Sequence, residues 1–101
     1  MKIDCLIFAL NSGNLLKQKM FNVFSKARRL RYNITEVSYK TRENSLCSVV
    51  HVSFSGDNVP DDEKFFTILN NLLNEENVET FGITTNSTKY TMWDTGVATW
   101  G

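Results

Sequence analysis

Apolar and polar positions along this chain change period repeatedly, and each change marks an element. Residues 2–10, KIDCLIFAL, are rich in Ile, Leu and Phe and stop at Asn11-Ser12-Gly13-Asn14. A run that short predicts a strand rather than a helix. The period then lengthens to three and four: Leu16, Met20, Val23, Phe24, Ala27 and Leu30 fall on one stripe of an amphipathic helix over residues 15–30, with Ser12 or Asn14 as its start cap. From Asn33 to Arg42 alternation returns, with Val37 and Tyr39 set between Glu36, Ser38, Lys40 and Arg42, as in a half-buried strand. Glu43-Asn44-Ser45 turns the chain into a third strand, Leu46 to Phe54. Its period puts Val50, Val52 and Phe54 on one face and Cys47, Val49, His51 and Ser53 on the other, and the two strands form a hairpin.

Pro60-Asp61-Asp62-Glu63 then has the chemistry of a helix start, with proline in the first turn and acids facing the positive end of the helix dipole. Phe65, Phe66, Leu69, Leu72 and Leu73 supply the buried stripe of a helix that runs to about Glu76. Val78 to Thr85 reads as a fourth strand with Phe81 and Ile83 inward, and Asn86-Ser87-Thr88 leads into an extra C-terminal strand, Lys89 to Trp93. At 101 residues the chain holds one hydrophobic core and one α+β domain, 1–101. The order βαββαβ predicts the ferredoxin-like arrangement: a four-stranded antiparallel sheet, order 4-1-3-2, with two helices on one face.

Charge adds an asymmetry that the pattern alone does not show. The totals cancel, yet residues 1–42 carry nine Lys or Arg against two acids, a balance of +7, and residues 43–101 carry the opposite. Lys26, Arg28, Arg29 and Arg31 close the first helix, and Lys40 and Arg42 close the second strand. These six residues are the candidates for a nucleic-acid-binding patch. Cations also stabilise a helix C-terminus without any ligand, and antiparallel helices would set this basic end beside Asp61-Asp62-Glu63. Glu75, Glu76 and Glu79 stand where helix physics does not ask for acids, which suits a basic partner.

The sheet face away from the helices is the other candidate. If Asp4 points outward, Leu6 and Phe8 do so too, beside Val49 and His51 of the third strand, and an apolar exposed sheet face is a binding surface or is covered. A second copy, a partner protein, or the chain's own tail with Trp93 and Trp100 would cover it. An open four-stranded sheet also invites comparison with the RNA-recognition motif, and the first strand has Phe8 and Asn11 in suitable places. The third strand departs from that family, with Val49 and His51 where stacking aromatics belong and Ser48 in place of glycine.

Catalytic chemistry is poorly supplied. His51 is the sole histidine, and Cys47 lies four residues before it, about 13 Å along an extended strand, beyond hydrogen-bonding reach. Cys5 and Cys47 fall near opposite ends of adjacent antiparallel strands, too far apart to chelate a metal together; each sits in an apolar stretch where a reduced core thiol is expected rather than a disulfide, and no cofactor motif occurs. The longest apolar run, Cys5 to Leu10, is too short for a membrane span and lacks a cleavage pattern. The expectation is therefore a cytoplasmic, non-enzymatic regulator or inhibitor that binds a partner protein, or a second copy of itself, through Leu6, Phe8, Val49, His51 and the acids Glu75, Glu76 and Glu79. Its Asn-rich, Pro-poor composition suits a viral or phage accessory protein acting in a host cytoplasm. Nucleic-acid binding and dimeric small-molecule binding are the alternatives.

Overall fold

The computed structural model describes residues 2–42, 44–60 and 62–85. Six elements follow one another: β1 (Lys2–Leu10), α1 (Asn14–Arg29), β2 (Asn33–Thr41), β3 (Cys47–Ser55), α2 (Asp62–Glu75) and β4 (Thr80–Thr85). The strands form one antiparallel sheet in the order β2-β3-β1-β4, which is the expected ferredoxin-like order read from the other edge. The expected extra strand at Lys89 to Trp93, and coverage of the sheet by residues 94–101, lie outside the described residues.

Alternation along the strands divides the sheet. Ile3, Cys5, Ile7 and Ala9 of β1 and Val50, Val52 and Phe54 of β3 join Leu16, Met20, Val23, Phe24 and Ala27 of α1 and Phe65, Leu69, Leu72 and Leu73 of α2 in one core. Phe54 meets Phe65 edge to face at 5.1 Å between ring centroids, a geometry aromatic quadrupoles favour. The Cys5 thiol sits in this core and is pushed up to about 12, first by desolvation and then by the Asp4 charge.

The helix ends show how local chemistry sets the boundaries. Neither Ser12 nor Asn14 caps α1: the N-cap is Gly13 in a left-handed conformation (φ 61°), and the Asn11 side chain accepts from the Gly13 N–H at 3.2 Å. Asn11 also donates to the Ser45 carbonyl at 3.1 Å, tying the turn after β1 to the start of β3. Both helices stop in the same way. Arg31 (φ 70°) and Asn77 (φ 57°) take left-handed conformations, and the next residues reach back, Tyr32 N–H to the Ala27 carbonyl at 3.1 Å and Val78 N–H to that of Leu73 at 3.0 Å. This is the Schellman pattern, which satisfies carbonyls the helix leaves open. Pro60 precedes α2 and is not part of its first turn.

Two bulges correct the sequence-based faces. Phe8 and Ala9 of β1 oppose Gly82 and Thr80 of β4, so Phe81 is an extra residue in the ladder; it lies 58% exposed instead of pointing inward beside Ile83. Likewise Ile34 and Glu36 oppose the adjacent residues Phe54 and Ser53, which leaves Thr35 as the extra residue of β2.

Candidate functional site

Register brings the four sheet-face residues together. Leu6 lies opposite His51, and Phe8 opposite Val49, so they form a two-by-two block on the centre of the face away from the helices. The block is not the bare apolar surface expected. Phe8 is 1% and Val49 7% exposed, the centre of a small second cluster against which Leu6 and Cys47 pack. One row further along, Asp4 faces Ser53, whose hydroxyl donates to the Asp4 carboxylate, and His51 Nε2 lies 4.0 Å from the same oxygen. The serine hydroxyl is thus aimed at the carboxylate and not at the imidazole, and Ser53 is fully buried, so this trio lacks the geometry of an activated nucleophile.

The acidic group divides. Glu75 and Glu76 both reach Lys26 of α1, at 3.1 and 2.7 Å, and Asn22 donates to Glu76 at 3.0 Å. These contacts hold the Glu76 carboxyl below its ordinary range, with the Lys26 hydrogen bond the largest cause, and they push the Lys26 ammonium up. The charges that looked surplus on α2 are therefore matched by tertiary contact, and Lys26 points to the C-terminal end of α2 rather than to its acidic start. Glu79 is separate: it lies in the loop before β4, where its carbonyl accepts from the Leu10 N–H at 2.9 Å.

The basic candidates divide too. Arg28 and Arg29 are exposed in the last turn of α1, and Arg31 serves its Schellman stop. Lys40 and Arg42 sit at and just past the other end of β2, about 23 and 30 Å along the chain from its start at 3.3 Å per residue. The six residues thus do not make a single patch.

The sequence reading missed a different feature at the pole where β1 ends, α1 begins and α2 gives way to β4. A recess of about 370 Å³ is lined there by Leu10, Leu15, Leu16 and Val78, with Lys19 and Glu79 among its polar walls. Lys19 Nζ donates to the Asn77 carbonyl at 2.9 Å, which fixes one wall. An open hollow sharing Asn77, Val78 and Glu79 continues to Phe81. Leu15 (50% exposed) and Phe81 therefore flank one continuous concavity, and Leu46, 77% exposed, lies at the same end of the sheet, where its carbonyl accepts from Asn11. Leu15 precedes the first stripe residue and Phe81 is displaced by a bulge, so neither shows as a surface anchor in the periodicity.

Among the described residues no cluster of three or more His, Cys, Asp or Glu is placed to hold a metal ion, both cysteines are free, and no helix is long and apolar enough to cross a membrane. No family model and no curated protein matches the chain. Solved structures do resemble it. Formyltetrahydrofolate deformylases from Pseudomonas syringae pv. tomato str. DC3000 and Pseudomonas putida KT2440 superpose with TM-scores of 0.57 and 0.55 at 20% and 11% identity, over 88% and 89% of this chain. The match spans only 29% and 30% of those two chains. The de novo designed protein Foldit4 superposes with a TM-score of 0.48 at 18% identity, over 87% of this chain and 97% of its own. At such identities the likeness is one of fold.

Proposed function

We propose that the chain is a non-catalytic protein-interaction domain, a small regulator or inhibitor that works by gripping a segment of a partner protein. One observation carries this reading: the recess at the Leu10–Leu15–Val78 pole, apolar in its walls, charged on its rim at Lys19 and Glu79, and flanked by exposed Leu15 and Phe81. Exposed apolar side chains grouped around a concavity with a polar rim are the kind of surface that binds partners. A few such anchors carry most of the energy in protein interfaces. Of the residues first singled out for partner binding, Glu79 joins this surface, Leu6 and His51 offer partly accessible side chains on the sheet, and Glu75 and Glu76 serve the helix pair. The cytoplasm as place of action belongs to the same proposal and is supported by the two free thiols, Cys5 in the core and Cys47 on the opposite sheet face.

Immobilised protein and its Phe81→Asp and Leu15→Asp variants, incubated with the same cell extract, test the reading. Both side chains are at least half exposed, so the fold should persist, checked by circular dichroism. A protein retained by the wild type and lost from both variants is expected. Equal retention by all three, or by none, would overturn the proposal.

A further inference from the structure

We propose that β2 is a self-association edge: two copies of the chain join their β2 strands antiparallel about a two-fold axis at Ser38, fusing two sheets into one. β2 pairs with β3 along one side only, and among the described residues no strand occupies its other side. Such an edge presents a row of backbone donors and acceptors that another strand can complete.

The residues along β2 are complementary to their own reverse. With Ser38 on the axis, Glu36 of one copy lies opposite Lys40 of the other, Val37 opposite Tyr39, and Ser38 opposite itself. Period two keeps Glu36, Ser38 and Lys40 on the face away from the helices and Val37 and Tyr39 on the helix side, so each pair meets on one face. Symmetry makes every heterotypic pair occur twice. Moving the axis to Val37 sets Glu36 opposite Ser38, and moving it to Tyr39 sets Glu36 opposite Arg42, beyond the end of β2, so Ser38 is the axis that keeps the acid–base pair within the strand. The bulge at Thr35 lies outside the Glu36–Lys40 segment and leaves it straight. An edge lysine ordinarily discourages strand pairing; here Glu36 makes the chain's own copy the one strand that neutralises it.

The helix layer agrees. Lys17 Nζ sits 5.4 Å from the centre of the Tyr39 ring, which places that flank of α1 above β2, while Lys19, Asn22 and Lys26 on the other flank face α2. Phe21 lies one turn after Lys17 on the β2 flank and is 65% exposed; Val37, on the same face of β2 as Tyr39, is 38% exposed. The two-fold brings the Phe21 flanks of both copies together over the joined strands, which removes these apolar groups from water. This surface lies on the opposite side of the domain from the recess, so the two proposals stand or fall separately.

Sedimentation equilibrium tests the pairing. The wild type is expected to show a dimer that grows with concentration. Glu36→Lys sets four lysines across the axis and is expected to weaken the dimer by about tenfold or more, and Phe21→Glu to remove it. The double variant Glu36→Lys/Lys40→Glu restores each pair with its signs exchanged and is expected to recover the wild-type constant. In a Cys47→Ser background, Ser38→Cys should oxidise to a covalent dimer, because opposed residues of antiparallel strands stand about 4.5–5.5 Å apart at Cα, inside the disulfide range. A monomer at every concentration that also fails to cross-link through Ser38→Cys would overturn the proposal. So would a dimer indifferent to Glu36→Lys, or a charge swap that does not restore it.

Discussion

The two faces of the sheet are built from the same strands and do different work. Toward the helices, β1 and β3 contribute Ile3, Cys5, Ile7, Val50, Val52 and Phe54 to a core shared with both helices. On the other side they contribute a two-residue apolar centre, Phe8 and Val49, beside Asp4, which accepts a hydrogen bond from Ser53 and has His51 nearby. The contrast teaches that alternation alone separates the face that fixes the fold from a face that mixes packing with polar contact. Stability should therefore reside unequally in neighbouring residues of one strand.

The largest expected effect comes from the helix side. Phe54→Ala removes a fully buried ring packed edge to face against Phe65 and should cost about 4 kcal/mol, whereas Val49→Ala, five residues earlier and on the other face, should cost about 2 kcal/mol. Urea unfolding of both variants measures the difference, and equal losses would erase the distinction between faces. Next comes the polar trio. Asp4→Ala leaves the buried Ser53 hydroxyl without its carboxylate acceptor and should cost about 1 kcal/mol, while Ser53→Ala, which removes the donor together with its need, should cost less. The smallest effect lies above the helix face, at the half-buried Lys26–Glu76 pair. Lys26 holds the Glu76 carboxyl below its ordinary value near 4.5 in the folded chain. The pair's contribution is complete above the unfolded value and disappears as pH falls through the lower folded one. Lys26→Met should accordingly flatten the acid-side fall in stability between pH 5 and pH 3, about the unfolded carboxylate value, measured by urea midpoints; an unchanged slope would show the pair to be inert.

Much of this fold was legible in the sequence. The first strand coincides with its expected span because a short Ile- and Leu-rich run bounded by Asn-Ser-Gly-Asn has few other solutions. The hairpin, both helices and the two faces of β3 followed from period for the same reason. What escaped reading depends on contacts between distant residues. Glu75 and Glu76 looked unmatched because their cation lies 49 and 50 positions earlier, on another helix. Phe81 looked inward because alternation assumes an unbroken ladder, and the bulge breaks it. Gly13 took the cap because the preceding Asn11 side chain turned back on the backbone. The recess joins the ends of four elements, and no local window spans them.

Strand order also has a consequence for synthesis. β1 is made before both of its neighbours in the sheet, β3 and β4, which lie downstream at residues 47–55 and 80–85. Among the described residues, only the β2–β3 hairpin joins strands adjacent in sequence. β1 therefore waits for its first partner until β3 is made at residues 47–55 and for its second until β4 is made at residues 80–85, so sheet formation around it depends on contacts distant in sequence. Within β1, Lys2 and Asp4 supply the charge that discourages its pairing with other chains while it waits.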